Sequence, residues 1–310
     1  MIARHDIPGR DLPDLSFPVK NLALWTRPPL ARNATPVLYV HGATFPTALA
    51  FTFAFDGVSW ADHLAGKGFW PWGVDFAGFG ASAIDWGAVD AGAGPVGRAA
   101  DAARQIAAAC AFIRDRTGAA RIDLIAHSWG TIPARLFAAQ RPDLVRRLAL
   151  FGPIVCRDGP ARPTITASWR LVTADDQRMR FLGYVPRGHA AVLADRHFAR
   201  WAAAYLDSDP EGRDRMPPAV KIPTGPAADI QDTWSGDRLY PSASMSVETA
   251  ILHGEWDSLC MDADAANLTA ELTAARTVHD IKLPAGTHVM HLETGRTRLW
   301  DAAARFLHAG

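Results

Sequence analysis

One strand–turn–helix pattern constrains the fold of this chain more than any other feature. Residues 122–126 form an apolar run with the length of a buried strand, and residues 131–140 have the apolar spacing of a helix. The short turn between them carries Ser128, with small residues, Ala126 and Gly130, two positions away on either side. Small residues suit so tight a bend because a larger side chain would collide with the neighbouring backbone. The pattern predicts a serine hydroxyl raised above the strand end, in front of free helix N–H groups. Taken alone, it also fits a surface serine that caps a helix.

Strand and helix patterns alternate on both sides of this unit. The predicted strands are 17–25, 36–40, 69–76, 145–151, 247–252 and 278–283. The predicted helices are 59–66, 98–116, 263–275 and 296–308. This alternation indicates an α/β fold with a mostly parallel sheet that is covered by helices on both faces.

The alternation stops after Val155. Residues 156–245 are irregular and rich in proline, with helices predicted around 169–180 and 190–205. We predict that residues 1–155 and 246–310 form the core. The segment between them is predicted to be a mainly helical cap, or lid, over the sheet edge where folds of this class bind ligands.

The composition disfavours several classes of partner. The 310 residues contain 32 basic and 32 acidic side chains, a balance that disfavours nucleic acid and anionic membrane surfaces. Three cysteines without short spacing predict neither a disulfide framework nor a zinc site, and they favour a reducing cytoplasm. No signal-peptide core or membrane span is expected. We expect a cytoplasmic protein that acts on a small molecule, and the sequence leaves a homo-oligomer open.

Five landmarks, each placed after a predicted strand, carry a family resemblance. They are His41-Gly42, Asp75-x-x-Gly78-x-Gly80-x-Ser82, the Ser128 turn, Gly254-Glu255-Trp256-Asp257, and Gly286-Thr287-His288 with Glu293. Together they resemble the α/β-hydrolase family over roughly residues 17–155 and 247–310. Ala126 departs from the pattern, since the family has glycine there. The resemblance implies an α/β-hydrolase fold with an inserted cap.

The same resemblance implies a catalytic triad in the order nucleophile, acid, histidine. Ser128, Asp257 and His288 hold these places in this sequence. A histidine in this role takes the serine proton, and the acid orients the imidazole. The implied donors to the oxyanion are the N–H groups of Trp129 and Ala43.

Neighbouring residues compete for two of these roles. Asp262 and Asp264 follow Asp257 closely, and we interpret them as charges at the start of the next helix. His291 lies three residues after His288, and we interpret it as a residue outside the triad. We interpret His41 and His127 as structural residues. His41 is expected to support the oxyanion loop, and His127 is expected to pack beside the serine turn.

Two further patterns resemble cofactor or metal sites. Residues 92–97 match a dinucleotide fingerprint, but they do not follow a strand directly, and Pro95 lacks the N–H that a pyrophosphate would need. His288, His291 and Glu293 resemble a metal cluster but lack a third convergent ligand. We therefore expect no cofactor and no metal.

The resemblance implies a serine hydrolase that cleaves a carboxylic ester, or else an amide or a thioester. We expect Thr44, Phe45, Trp169, Trp201 and Trp234 to contact the substrate. A nearly neutral, aromatic cap favours a small, uncharged and moderately apolar substrate. Two alternatives stay open: an acyltransferase or C–C bond hydrolase with the same triad, and a non-catalytic ligand-binding protein on the same fold.

Overall fold

The computed structural model describes residues 1–31, 33–89 and 94–308. Its strands are β1 (Ala3–Pro8), β2 (Asn21–Thr26), β3 (Thr35–Val40), β4 (Phe69–Val74), β5 (Ile122–His127), β6 (Val145–Phe151), β7 (Trp169–Thr173), β8 (Ala219–Pro223), β9 (Glu248–Gly254) and β10 (Val278–Leu283). Its helices are α1 (Thr47–Ala50), α2 (Trp60–Gly66), α3 (Ala99–Thr117), α4 (Thr131–Gln140), α5 (Ala174–Leu182), α6 (Asp195–Leu206), α7 (Gly225–Trp234), α8 (Asp262–Glu271) and α9 (Arg296–His308). In this part of the chain, no helix is long and apolar enough to span a membrane.

Within the described residues, eight strands form one sheet in the order β1-β2-β4-β3-β5-β6-β9-β10. The pairs from β4 through β10 are parallel, whereas β1 and β2 add antiparallel pairs at one edge. Every residue of β5 is buried, so its sequence is largely apolar rather than alternating; the exception near its start, Asp123, pairs with the guanidinium of Arg146. The predicted α/β architecture is confirmed.

Two helices illustrate how local sequence sets the boundaries. Ser59 caps α2 by accepting a hydrogen bond from the N–H of Asp62, whose carboxylate in turn accepts one from the N–H of Ser59. Gly118 ends α3 with a φ of 69°, a left-handed conformation that glycine adopts without strain. Both boundaries agree with the sequence prediction to within a residue.

Residues 156–245 lie between β6 and β9 and contain α5, α6, α7 and a small two-stranded sheet. The helix predicted over 169–180 is wrong at its start, because Trp169–Thr173 forms β7, paired antiparallel with β8. The sequence of β7 is rich in strand formers, but its partner lies about fifty residues away and gives no local signal. The description of this segment as a cap remains a prediction.

The turn after β5 is as tight as the sequence requires. Ser128 has a φ of 55°, which is unusual for a residue other than glycine. A Cβ at Gly130 would lie 2.3 Å from the carbonyl oxygen of His41. The glycine therefore allows the start of the helix to approach the loop after β3.

Gly130→Ala is expected to lower the free energy of unfolding by about 2 kcal/mol or more, since the added methyl group meets backbone rather than a movable side chain. Urea denaturation measures the change. Gly66→Ala at the end of α2 is the matched control, because a Cβ there meets nothing within 4 Å. The control should be neutral or slightly stabilising. Equal stability of the two variants would contradict this account of the turn.

Candidate active site

Three side chains from loops at the carboxyl ends of parallel strands meet in one hydrogen-bonded series. Ser128 follows β5, Asp257 follows β9 and His288 follows β10. The Nε2 atom of His288 lies 2.8 Å from the Oγ atom of Ser128. The Nδ1 atom of His288 lies 3.0 Å from each carboxylate oxygen of Asp257. With the Nδ1 proton donated to the carboxylate, Nε2 is left to accept the serine proton.

The carboxylate of Asp257 is held in its ionised form. Burial opposes ionisation, but the charge and hydrogen bond of His288 outweigh it, together with the N–H groups of Cys260 and Leu259. These N–H groups lie 3.0 and 2.8 Å from Oδ1. The pKa of Asp257 is consequently below its ordinary value, so the residue can orient the imidazole as an anion.

The two competing acids, Asp262 and Asp264, form ion pairs with residues other than His288. Asp262 is exposed and its Oδ2 atom lies 2.7 Å from the ammonium of Lys282. Asp264 is buried and accepts hydrogen bonds at 2.9 and 2.6 Å from the guanidinium of Arg157. Among the hydrogen bonds of the described residues, His288 contacts neither of these acids. The geometry therefore favours Asp257.

Two other histidines lie behind His288. His127 donates from Nε2 to the carbonyl oxygen of His288 at 2.9 Å, and so it supports the loop that carries His288. Burial, aided by the nearby imidazole of His288, lowers the pKa of His127 to about 3. His291 is fully buried, with its ring centroid 4.5 Å from that of His127. Burial lowers the pKa of His291 well below its ordinary value, so both rings remain neutral.

The loop after β3 forms the opposite wall of the site. His41 donates from Nδ1 to the carbonyl oxygen of Gly42 at 2.7 Å, and its Nε2 accepts from the N–H of Phe76 at 2.9 Å. This agrees with the expected supporting role. Thr44 is held by Gln177 of α5, whose amide contacts both the hydroxyl and the carbonyl oxygen of Thr44 at 3.3 Å.

The side chain of Trp129 links the serine turn to the inserted segment. Its Nε1 donates at 2.8 Å to Oδ2 of Asp229 in α7. The same carboxylate accepts from the N–H of Ala99 at 2.7 Å and pairs with the guanidinium of Arg98. The sequence analysis missed Asp229, because a single aspartate in an irregular segment carries no signal of a contact 100 residues away.

Ser128 and His288 open into a narrow cavity of about 60 Å³, which we call the serine cavity. The residues that line it are Gly42, Ala43, Thr44, Phe45, His127, Ser128, Gln177, Arg180, Tyr184, Ile230, Leu259, His288 and Val289. A larger cavity of about 450 Å³ shares Thr44 with it but contains neither Ser128 nor His288. The Ser128–His288 contact therefore faces the smaller cavity.

Thr44 and Phe45 line the serine cavity, but the three tryptophans predicted to bind substrate do not. Trp201 is buried, donates to the carbonyl oxygen of Leu49 at 2.8 Å and packs in the core. Trp234 lies under the guanidinium of Arg157, and Trp169 is 40% exposed. These aromatic faces pack against other parts of the protein here, and a substrate contact by the three tryptophans stays a prediction that the cavity lining does not support.

The two sequence patterns that resemble cofactor or metal sites gain no support from the described residues. Gly92 and Ala93 of the glycine-rich loop lie outside the described residues. Among the residues that are described, no group of three metal-ligating side chains could hold a metal ion.

The sequence matches the model of the family described as alpha/beta hydrolase fold over residues 35–293. The chain therefore belongs to the alpha/beta-hydrolase fold family, as its landmarks indicated. No curated protein sequence matches it.

Solved structures of this fold align with nearly the whole chain. The thioesterase domain from the curacin biosynthetic pathway has a TM-score of 0.63 and 13% identity, with 100% of both chains covered. A serine hydrolase involved in carbazole degradation, CarC, has a TM-score of 0.65 and 13% identity, with 99% of both covered. A 2-hydroxy-6-oxo-6-phenylhexa-2,4-dienoate hydrolase from Rhodococcus sp. strain RHA1 has a TM-score of 0.64 and 15% identity, with 100% of this chain and 99% of that chain covered. At such identities the likeness shows the fold alone.

Glu293 is a second buried acid in the loop that carries His288. Its Oε1 accepts a hydrogen bond from the hydroxyl of Thr287, and the side chain is 2% exposed in all. Burial raises its pKa from 4.5 to about 7. The folded chain thus favours the neutral acid at pH values where the unfolded chain ionises.

The stability that comes from keeping Glu293 protonated is present below about pH 4.5 and is lost as the pH rises to about 7. Glu293→Gln has no such proton to lose. Its free energy of unfolding relative to wild type should therefore rise across this interval in urea titrations. Glu255→Gln, at an exposed carboxyl, serves as the control. A difference between wild type and Glu293→Gln that stays flat from pH 4.5 to 7 would refute the assignment.

Proposed function

We propose that the protein is a serine hydrolase that cleaves a carboxylic ester of a small substrate, with Ser128, His288 and Asp257 as its catalytic triad. The observation that carries the proposal is the 2.8 Å contact between Ser128 Oγ and His288 Nε2 inside a cavity. A serine hydroxyl is a weak nucleophile until an adjacent base takes its proton. Amides and thioesters present the same carbonyl chemistry and belong to the same proposal.

In the first half of the reaction, Ser128 Oγ attacks the substrate carbonyl carbon as its proton moves to His288 Nε2. The carbonyl oxygen gains negative charge, and Asp257 stabilises the imidazolium. The tetrahedral species collapses when His288 returns the proton to the leaving alcohol oxygen. The acyl group then remains on Ser128 as an ester.

In the second half, water replaces the alcohol. His288 takes a proton from the water, whose oxygen attacks the acyl carbon, and the proton passes to Ser128 Oγ as the acid leaves. The released carboxylic acid and the regenerated hydroxyl balance the reaction. Water is the only co-reactant that these steps require.

The proposed oxyanion donors are the N–H groups of Trp129 and Ala43. Trp129 directly follows the serine at the start of a helical segment, where N–H groups lack partners within the helix. Ala43 lines the serine cavity. The hydroxyl of Thr44 is oriented toward Gln177, which favours Ala43 over Thr44 as the second donor. A missing donor of this kind typically lowers turnover by about 100- to 1000-fold.

We also propose that residues 156–245 act as the cap of the site. Support comes from Gln177, Arg180, Tyr184 and Ile230, which belong to this segment and line the serine cavity. Because the cavity is narrow, a substrate that fits it must be small or must displace these side chains. The intact hydrogen-bonded series argues against a non-catalytic binding protein, which has no need of it.

Hydrolysis of 4-nitrophenyl esters of graded acyl length tests the proposal. Wild type should release nitrophenolate, and Ser128→Ala should lower kcat by at least about a thousandfold, because it removes the nucleophile. Ser244→Ala, at an exposed serine outside the cavity, should retain the wild-type rate. Equal rates in wild type and Ser128→Ala, with both proteins folded by circular dichroism, would end the proposal.

A further inference from the structure

One cation lines the serine cavity without an acidic partner. Arg180 of α5 is half-buried and shares the cavity with Ser128 and His288. In the described part of the chain it forms no hydrogen bond and no ion pair. Arg178, two residues earlier on the same helix, pairs instead with Asp195 at 2.8 Å and points away from the cavity lining. The guanidinium of Arg180, with five N–H donors and no hydrogen-bond or ion-pair partner among the described residues, is therefore available to an anionic ligand in the cavity.

A second unpaired guanidinium lies beside the first. Arg170 of β7 and Arg180 line one groove on the outer side of the cavity, and Tyr184 lines both spaces. The Nε atom of Arg170 is buried without a partner in the described chain. Burial, and then the charge of Arg180, lowers the pKa of Arg170. Because both arginines line the same groove, one anionic ligand placed there can interact with both.

The groove contains one acid, Asp176, whose negative charge acts on both arginines and one of whose carboxylate oxygens is engaged within the α5 cap. Asp176 accepts hydrogen bonds through Oδ2 from the N–H and the hydroxyl of Thr173, at 2.9 and 2.8 Å, as part of the α5 cap. A nearby buried hydroxyl, that of Tyr205, donates to the carbonyl oxygen of Val172 at 3.3 Å. The two arginines therefore exceed the local acids by one positive charge.

We propose that the substrate carries a carboxylate, remote from the bond that is cleaved, and that Arg180 binds this group while Arg170 adds to the local positive charge. A guanidinium matches a carboxylate through two parallel N–H···O bonds, which give orientation as well as affinity. This inference rests on the proposed hydrolase function for its reaction and replaces the expectation of an uncharged substrate. The overall neutrality of the inserted segment concealed the site, because charge counts average over positions.

Paired esters that differ by one charge test the proposal. Mono-4-nitrophenyl glutarate carries the carboxylate on the acyl side, and its methyl ester is the neutral partner. For the alcohol side, 4-acetoxybenzoate and methyl 4-acetoxybenzoate form the second pair. Wild type should favour the charged member of at least one pair in kcat/KM. Arg180→Gln should lower kcat/KM for that ester by about 100-fold and leave the neutral ester within about threefold.

Arg178→Gln is the matched control, because it removes the same charge from an exposed, ion-paired position of α5. It should keep the wild-type preference. Arg170→Gln should weaken the preference less than Arg180→Gln, and Arg180→Lys should restore part of it. No preference for charge in either pair, or a preference that survives Arg180→Gln, would overturn the proposal.

A binding measurement separates this proposal from the hydrolase function. In the Ser128→Ala background, calorimetry with monoethyl glutarate, which carries the carboxylate on the acyl side, and with 4-acetoxybenzoate, which carries it on the alcohol side, measures affinity without turnover. Adding Arg180→Gln should weaken binding of at least one of these anions by about 100-fold. That result, together with no hydrolysis by wild type, would leave the anion site standing and remove the hydrolase function. Unchanged affinity for both anions would refute the anion site whatever the protein hydrolyses.

Discussion

The site depends on one imidazole that is held from both sides. The Nδ1 atom of His288 contacts the carboxylate of Asp257, and its Nε2 atom contacts the hydroxyl of Ser128. Each contact requires that a separate loop places its side chain at the same level above the sheet. A parallel sheet provides this, because the carboxyl ends of neighbouring strands lie along one edge. Strand β6 stands between the strand of the serine and those of the acid and base. Gly152 follows it with a φ of 52°, and a Cβ there would lie 3.0 Å from both Asp257 and His288.

The inserted segment is joined to this edge through polar contacts at two points. Gln177 of α5 holds Thr44 in the loop after β3, and Asp229 of α7 holds the indole of Trp129 next to the nucleophile. Both partners lie beside the proposed oxyanion donors. A movement of the segment would thus be transmitted to the residues that stabilise the developing charge. Under the proposed function, this would couple the fit of a substrate beneath the segment to the geometry of the reaction.

Much of the core could be predicted from sequence, because its signals are local. The helix at Thr131–Gln140 and the strands at Val145–Phe151 and Val278–Leu283 were predicted with their observed bounds. Periodicity is strong where a segment is buried on a fixed face. Strand β1 was missed, since only Ile7 of its six residues is buried and three consecutive polar residues, Arg4, His5 and Asp6, leave no apolar pattern. The order of Ser128, Asp257 and His288 came from the family resemblance, and the structure brings these residues within hydrogen-bonding distance.

The inserted segment was predicted less well than the core, because its contacts join residues that are far apart in the sequence. Trp201 and Trp234 looked suited to a substrate, yet their faces pack on other parts of the protein. Arg180 gave no signal, because an arginine on a helix normally faces solvent. Which residues face a cavity depends on how α5 lies against the loop after β3. The packing of α5 against this loop can be seen in the structure but not in the sequence of either part.

The most direct measurement of the account is the kcat of Asp257→Asn on an ester that the wild type hydrolyses. If the carboxylate orients His288 and stabilises the imidazolium, kcat should fall by about four orders of magnitude while circular dichroism and thermal unfolding remain near wild type. Asp262→Asn, at the exposed acid paired with Lys282, should change kcat by less than about threefold. A mild effect of Asp257→Asn combined with a severe effect of Asp262→Asn would contradict the hydrogen-bonded series on which this account stands.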